Sequence, residues 1–130
     1  MLKKIIYPEL SYKITGLCFK AHNDLGRFAK EKQYADRMEQ LLLDKKISYT
    51  REMEIPFQIE GKNVPGNRAD FIIEDKIIIE FKAKNFITRE DYRQVQRYLR
   101  ATGMKLALLV NFRNVYLKPK RVINYSHHSH

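Results

Sequence analysis

Apolar positions along the chain recur first at helical spacing and then at strand spacing. Ile14, Leu17, Cys18, Ala21 and Leu25 predict a helix over residues 11–25, which Gly26 can stop. A second stripe, Tyr34, Ala35, Met38, Leu41 and Leu42, predicts a helix from about Lys30 to Lys45. From Tyr49 to Ile59 the pattern becomes that of a strand, with turns near Gly61 and at Pro65-Gly66-Asn67. Two short β-branched runs follow, Arg68 to Ile73 and Lys76 to Ala83, separated by Glu74-Asp75. They are apolar on both faces, as in central strands covered on two sides. Thr88, with Asp91 three residues on, reads as a capping box opening a helix that runs to Thr102 and stops at Gly103. Lys105 to Phe112 is another buried strand, and a last strand is expected at Val115 to Leu117 or at Val122 to Ile123. The order α-α-β-β-β-α-β-β predicts an α/β fold with a mixed sheet flanked by helices.

Charges break this pattern in one place. Glu80 and Lys82 share one face of an otherwise apolar strand, while Ile77, Ile79 and Phe81 take the other. A carboxylate and an ammonium are costly to bury unless they are paired or bound to metal. Asp70, on the adjacent strand, supplies a second carboxylate. Two carboxylates with waters and phosphate oxygens suit Mg²⁺. A loop of only Glu74-Asp75 would set Asp70 against Ile79, on the wrong face. An odd-length loop reaching Lys76, or a β-bulge, is therefore predicted, and either one sets Asp70 against Glu80. The plainer alternative is a Glu80–Lys82 ion pair at a sheet edge, with Asp70 as a turn carboxylate; the flanking apolar residues speak against an edge.

Other candidates are weaker. Glu31 lies in line with Tyr34 and Met38, so it is expected to face inward near the start of its helix, either as a site acid or as a charge favourable to the helix dipole. His22, one turn after Cys18, is an accessory candidate with an equally good structural role. Gln94 and Tyr98 share a helix face, and Gln94 is placed to hydrogen-bond Lys82 or a water at the metal.

Composition narrows the partner. The 130 residues fit one domain, with residues 1–10 and 125–130 expected to be peripheral; 44% are hydrophobic and 31% charged. Lys and Arg number 25 against 15 Asp and Glu, a formal charge of +10, which favours a polyanion. Lys20, Lys30, Lys32, Arg93, Arg97, Arg100 and Arg113 are candidates for phosphate contacts, though only their collective excess carries information. No apolar run approaches the roughly 18 residues of a membrane span, and the apolar patch before Pro8 is too short for a signal peptide. A cytoplasmic location with no membrane partner is the expectation. The single cysteine excludes a disulfide framework or a cysteine-cluster zinc site. Ser126 to His130 is His-rich, and such an end is more often inert than metal-binding.

Asp70, nine residues and then Glu80-Phe81-Lys82 resemble the PD-(D/E)-x-K motif of a nuclease superfamily, with Ala69 in place of its proline. More of the chain is similar to the GxxExxY family within that superfamily. The matching stretches include Ile14-Thr-Gly, Ala21-His-Asn-Asp-Leu-Gly26, Glu31-Lys-Gln-Tyr34, Arg68-Ala-Asp70, Ile79-Glu-Phe-Lys82 and Thr102-Gly-Met-Lys onward to Phe112. Phe28 replaces the signature's first glycine. The resemblance implies a restriction-endonuclease-like αβββαβ core, a divalent cation (Mg²⁺ or Mn²⁺) and phosphodiester hydrolysis. It implies a site of Glu31 (or His22), Asp70, Glu80, Lys82 and Gln94. The expected activity is a metal-dependent nuclease acting on DNA ahead of RNA, with a homodimer by analogy to small relatives. The alternative is a catalytically silent module binding nucleic acid or protein on the same fold; a toxin, antitoxin or defence component is a third reading that nothing in the sequence decides.

Overall fold

The computed structural model describes residues 5–125. Ser126 to His130 lie outside the described residues. Helix α1 spans Pro8–Leu25, α2 Glu31–Asp44 and α3 Arg89–Thr102. The strands are β1 Tyr49–Glu54, β2 Gln58–Ile59, β3 Lys62–Asn63, β4 Arg68–Ile73, β5 Ile77–Lys82, β6 Leu106–Asn111 and β7 Lys120–Ile123. Helix α1 starts about a turn earlier than its apolar stripe predicts. Pro8 begins it, where a missing N–H costs nothing, and the exposed Pro8 and Glu9 add no apolar signal.

The predicted strand over residues 49–59 is corrected: β1 ends at Glu54, just before Pro56. Residues 58–63 form a separate hairpin whose two-residue turn, Glu60-Gly61, has φ of 52° and 77°. Helix α3 has the predicted bounds, with Thr88 and Asp91 capping each other and Gly103 left-handed at φ 73°.

Five strands form one sheet in the order β1-β4-β5-β6-β7. Only β5 and β6 run parallel, because α3 carries the chain across between them; the other pairs are antiparallel. Strand β5 is therefore central, which removes the sheet-edge alternative for Glu80 and Lys82.

The sheet separates two cores. On one face Phe71, Ile73, Ile77, Ile79 and Phe81 pack with α1 and α2 through Ile14, Cys18, Tyr34, Met38 and Leu42. There Phe112 stacks on Tyr34 at 4.0 Å and meets Phe81 edge-on at 4.7 Å. On the other face Ile72, Ile78, Ala107 and Leu109 pack under Val95, Tyr98 and Leu99 of α3.

Ile73 pairs with Ile77, so the β4–β5 loop is Glu74-Asp75-Lys76, the odd length that the register argument requires. Two of its residues, Glu74 and Asp75, are left-handed at φ 52° and 54°. The left-handed region costs an L residue roughly 1–2 kcal/mol. Glu74→Gly is expected to raise the unfolding free energy by about 0.5–1 kcal/mol in urea titrations, whereas Ile78→Ala, which empties a fully buried position, is expected to lower it by about 2–5 kcal/mol.

Candidate active site on the central strands

The register Phe71↔Ile79 makes Asp70 and Glu80 the next opposed residues, yet they are not a ladder pair. Each carboxylate takes a strand amide instead. The Asp70 N–H donates to Glu80 Oε1 at 3.2 Å, and the Phe81 N–H donates to Asp70 Oδ2 at 2.7 Å. The β1 residue opposite Asp70 is Glu52, which is also outside the ladder and left-handed at φ 54°. Sheet pairing therefore lapses on both sides of Asp70, and the two acids are anchored where the strands stop bonding to each other.

Lys82 follows two residues after Glu80 on the same face. Its ammonium donates to Gln94 Oε1 of α3 at 3.0 Å and lies 3.6 Å from Glu80 Oε2 and 3.9 Å from Asp91 Oδ1. The end of β5 is fixed from β6: Asn111, opposite Lys82 in the parallel ladder, accepts the Lys84 N–H and donates to the Lys84 carbonyl at 2.7 Å. Tyr98 is buried beside the acids. Burial and the Glu80 charge push its phenol up to about 12.

Burial also sets the electrostatics of the carboxylates. Glu80 is 5% exposed, and burial reinforced by the Asp70 charge pushes its carboxyl up to about 8; Lys82 offsets only part of this. Burial likewise raises Asp70; the Phe81 N–H opposes the shift and the Glu31 charge adds to it. Two acids that resist ionisation next to a single lysine form a site short of positive charge.

The structure brings together Asp70, Glu80, Lys82, Gln94 and Tyr98, with Glu31 near enough to act on Asp70. The inward orientation expected of Glu31 is corrected: it is exposed at the first residue of α2, while Tyr34 and Met38 of its stripe are buried. His22 is engaged elsewhere, with Nε2 3.0 Å from the Asn114 carbonyl oxygen.

The phosphate-contact candidates are dispersed. Lys20 pairs with Asp24 at 2.9 Å and Lys32 with Asp36 at 3.1 Å; Lys30 caps α2. Arg113 donates to the Arg27 and Ala83 carbonyls, which ties the α1–α2 loop to the end of the sheet. Arg93, Arg97 and Arg100 lie together on α3.

Sequence reasoning missed Asp91 as a site neighbour, having read it only as a cap. It accepts from Thr88 and ion-pairs Lys84 as well as facing Lys82. Although burial acts to raise it, Lys84 and Thr88 hold its carboxyl below the usual range. Its position three residues before Gln94, on the same helix face, is the signal that could have found it.

The donor set is oxygen-only. Among the described residues no group of three or more His, Cys, Asp or Glu side chains is arranged to hold a metal ion. Asp70 and Glu80 fit Mg²⁺ or Mn²⁺ as a two-carboxylate seat that leaves the remaining positions to water and substrate. A divalent cation would also offset the cost of holding these two carboxylates ionised away from water.

The Glu80 shift sets a pH dependence. Between its ordinary value of 4.5 and about 8, the folded metal-free protein holds a proton that the unfolded chain releases. The stability contributed by this proton is complete below pH 4.5 and is lost as pH rises through 8, by at most about 1.4 kcal/mol per pH unit. Thermal unfolding in EDTA should show a falling Tm from pH 5 to pH 8. Glu80→Gln should flatten that slope, and millimolar Mg²⁺ should raise the Tm most at the alkaline end.

A profile of the PD-(D/E)XK nuclease superfamily matches residues 8–123. No curated protein matches the chain. Among solved structures, that of SSO0001 aligns with a TM-score of 0.55 at 20% identity, over 85% of this chain and 65% of the other, which shows a shared fold. This chain thus spans just under two thirds of that relative's length. An alkaline exonuclease (LHK-Exo) from Laribacter hongkongensis aligns with a TM-score of 0.47 at 14% identity, over 95% of this chain and 72% of the other. A profile match running from the first residue of α1 to the last of β7 means that the chain belongs to the PD-(D/E)XK nuclease superfamily.

Proposed function

We propose that this protein is a metal-dependent nuclease that hydrolyses phosphodiester bonds of DNA, ahead of RNA, and that it belongs to the GxxExxY branch of its superfamily. Nucleases of this superfamily generally use divalent metals. The observation that carries the reading is the pairing of buried Glu80 with half-buried Asp70, with Lys82 held beside them by Gln94 at 3.0 Å. The +10 charge of the chain favours a polyanionic substrate. No helix among the described residues is long and apolar enough to cross a membrane, and a cytoplasmic site of action is part of the same reading.

Each residue then has a role. Asp70 and Glu80 would hold Mg²⁺ or Mn²⁺, which when bound supplies positive charge against the phosphate and acidifies a water. Glu31, exposed at the start of α2, adds a third carboxylate at the margin. Lys82 orients the attacking water and offers its ammonium to the non-bridging oxygens as charge builds up on them. Gln94 and Asp91 keep that ammonium from folding back fully onto Glu80. Tyr98, protonated at any physiological pH, closes the buried side of the site. Cys18 offers no rival nucleophile, because complete burial pushes its thiol up to about 12.

Purified protein with Mg²⁺ or Mn²⁺ is expected to cut single-stranded, duplex or branched DNA in a gel assay. Lys82→Ala and Asp70→Asn should each lower the rate by about 10²-fold or more, the scale seen when one preorganised transition-state partner is removed. Gln94→Ala should lower it less, since Lys82 keeps its other contacts. Metal-independent binding without cleavage of any of the three substrates would contradict the enzyme reading and favour a silent binding module.

A further inference from the structure

Helix α3 packs over β5, β6 and β7, and two grooves meet at its Tyr92. The larger, about 540 Å³, is lined along the helix by Arg89, Arg93, Arg97 and Arg100, and also by Tyr92 and Tyr125. The smaller, about 240 Å³, contains Phe86, Lys118, Lys120 and Asn111, and shares Tyr92 with the first. The acid meeting the arginine row is Glu90, which Arg97 approaches to 3.1 Å and Arg93 to 3.7 Å, so four guanidinium groups outnumber one carboxylate. The aromatic side chains are in contact with water: Phe86 is 80% exposed, Tyr125 70% and Tyr92 38%. Asn111 lies opposite Lys82 in the parallel ladder, so the smaller groove begins one strand away from the site lysine.

We propose that these two grooves, joined at Tyr92, form a track that binds a single-stranded stretch of nucleic acid and leads it toward the Lys82 site; this rests on the nuclease reading above. Guanidinium and ammonium groups alone would suit any phosphate backbone, duplex included. Phe86, Tyr92 and Tyr125 distinguish the two, because exposed rings interleaved with cations provide stacking surfaces that paired bases in a duplex cannot reach. Arg93 and Arg100 follow the backbone while the rings take bases. The sequence-tolerant character of stacking makes this a track for any single strand, with no base-edge reading.

The test is fluorescence anisotropy in EDTA with a labelled thymidine 15-mer and a blunt 15-base-pair duplex. Phe86→Ala/Tyr92→Ala should weaken binding of the 15-mer by roughly tenfold or more while changing duplex binding by less than about threefold. Arg93→Glu/Arg100→Glu should weaken both and flatten the salt dependence. Phe86→Ala alone, at an 80% exposed position, gives the same direction without threatening the fold. Equal losses on both ligands, no loss with the aromatic variants, or no binding of the 15-mer by the unmodified protein would overturn the track. Intact 15-mer binding with no cleavage of single-stranded, duplex or branched DNA in Mg²⁺ would instead refute the nuclease reading and leave the track standing.

Discussion

Two carboxylates brought together in poorly solvated surroundings, with one ammonium to balance them, govern this structure. Asp70 and Glu80 face each other only because the loop between their strands has three residues, and they stay there because each accepts a backbone N–H from the other's strand. The arrangement is costly in the absence of a cation, as the raised Glu80 and Asp70 carboxyls show. A hydrophobic protein interior tolerates such a pair where something is expected to bind.

The rest of the fold keeps that pair in place. Strand β5 carries apolar side chains to α1 and α2 on one face, while its other face carries Ile78, Glu80 and Lys82 toward α3. The parallel crossover brings Gln94 and Asp91 over the lysine, and Asn111 fastens the backbone just beyond it. The charged end of β5 therefore sits on a rigid central strand, with helices packed on both sides, rather than on a mobile loop.

Much of this was legible in the sequence because burial imposes simple periodicities. Strands β4, β5 and β6 read as apolar on both faces, and α3 announced itself through Thr88, Asp91 and Gly103. The Asp70–Glu80 register followed from parity once the two acids were assigned to one face. The break after Glu54 was harder to see: residues 49–59 keep a strand-like composition, and the small exposed hairpin buries no stripe. Glu31 misled because helical phase gives direction but not depth: the start of α2 is exposed while the same stripe further along is buried. Asp91 was hidden behind a sufficient local explanation, its capping role, which concealed its second contact with Lys82.

The central claim, that Asp70 and Glu80 form one divalent-cation seat beside Lys82, is tested most directly by a crystal structure with Mn²⁺ soaked in, located by its anomalous scattering. A single strong peak is expected within coordination distance of carboxylate oxygens from both residues, with Lys82 still bonded to Gln94. A peak elsewhere, or Asp70 and Glu80 turned away from each other with no ion between them, would contradict it.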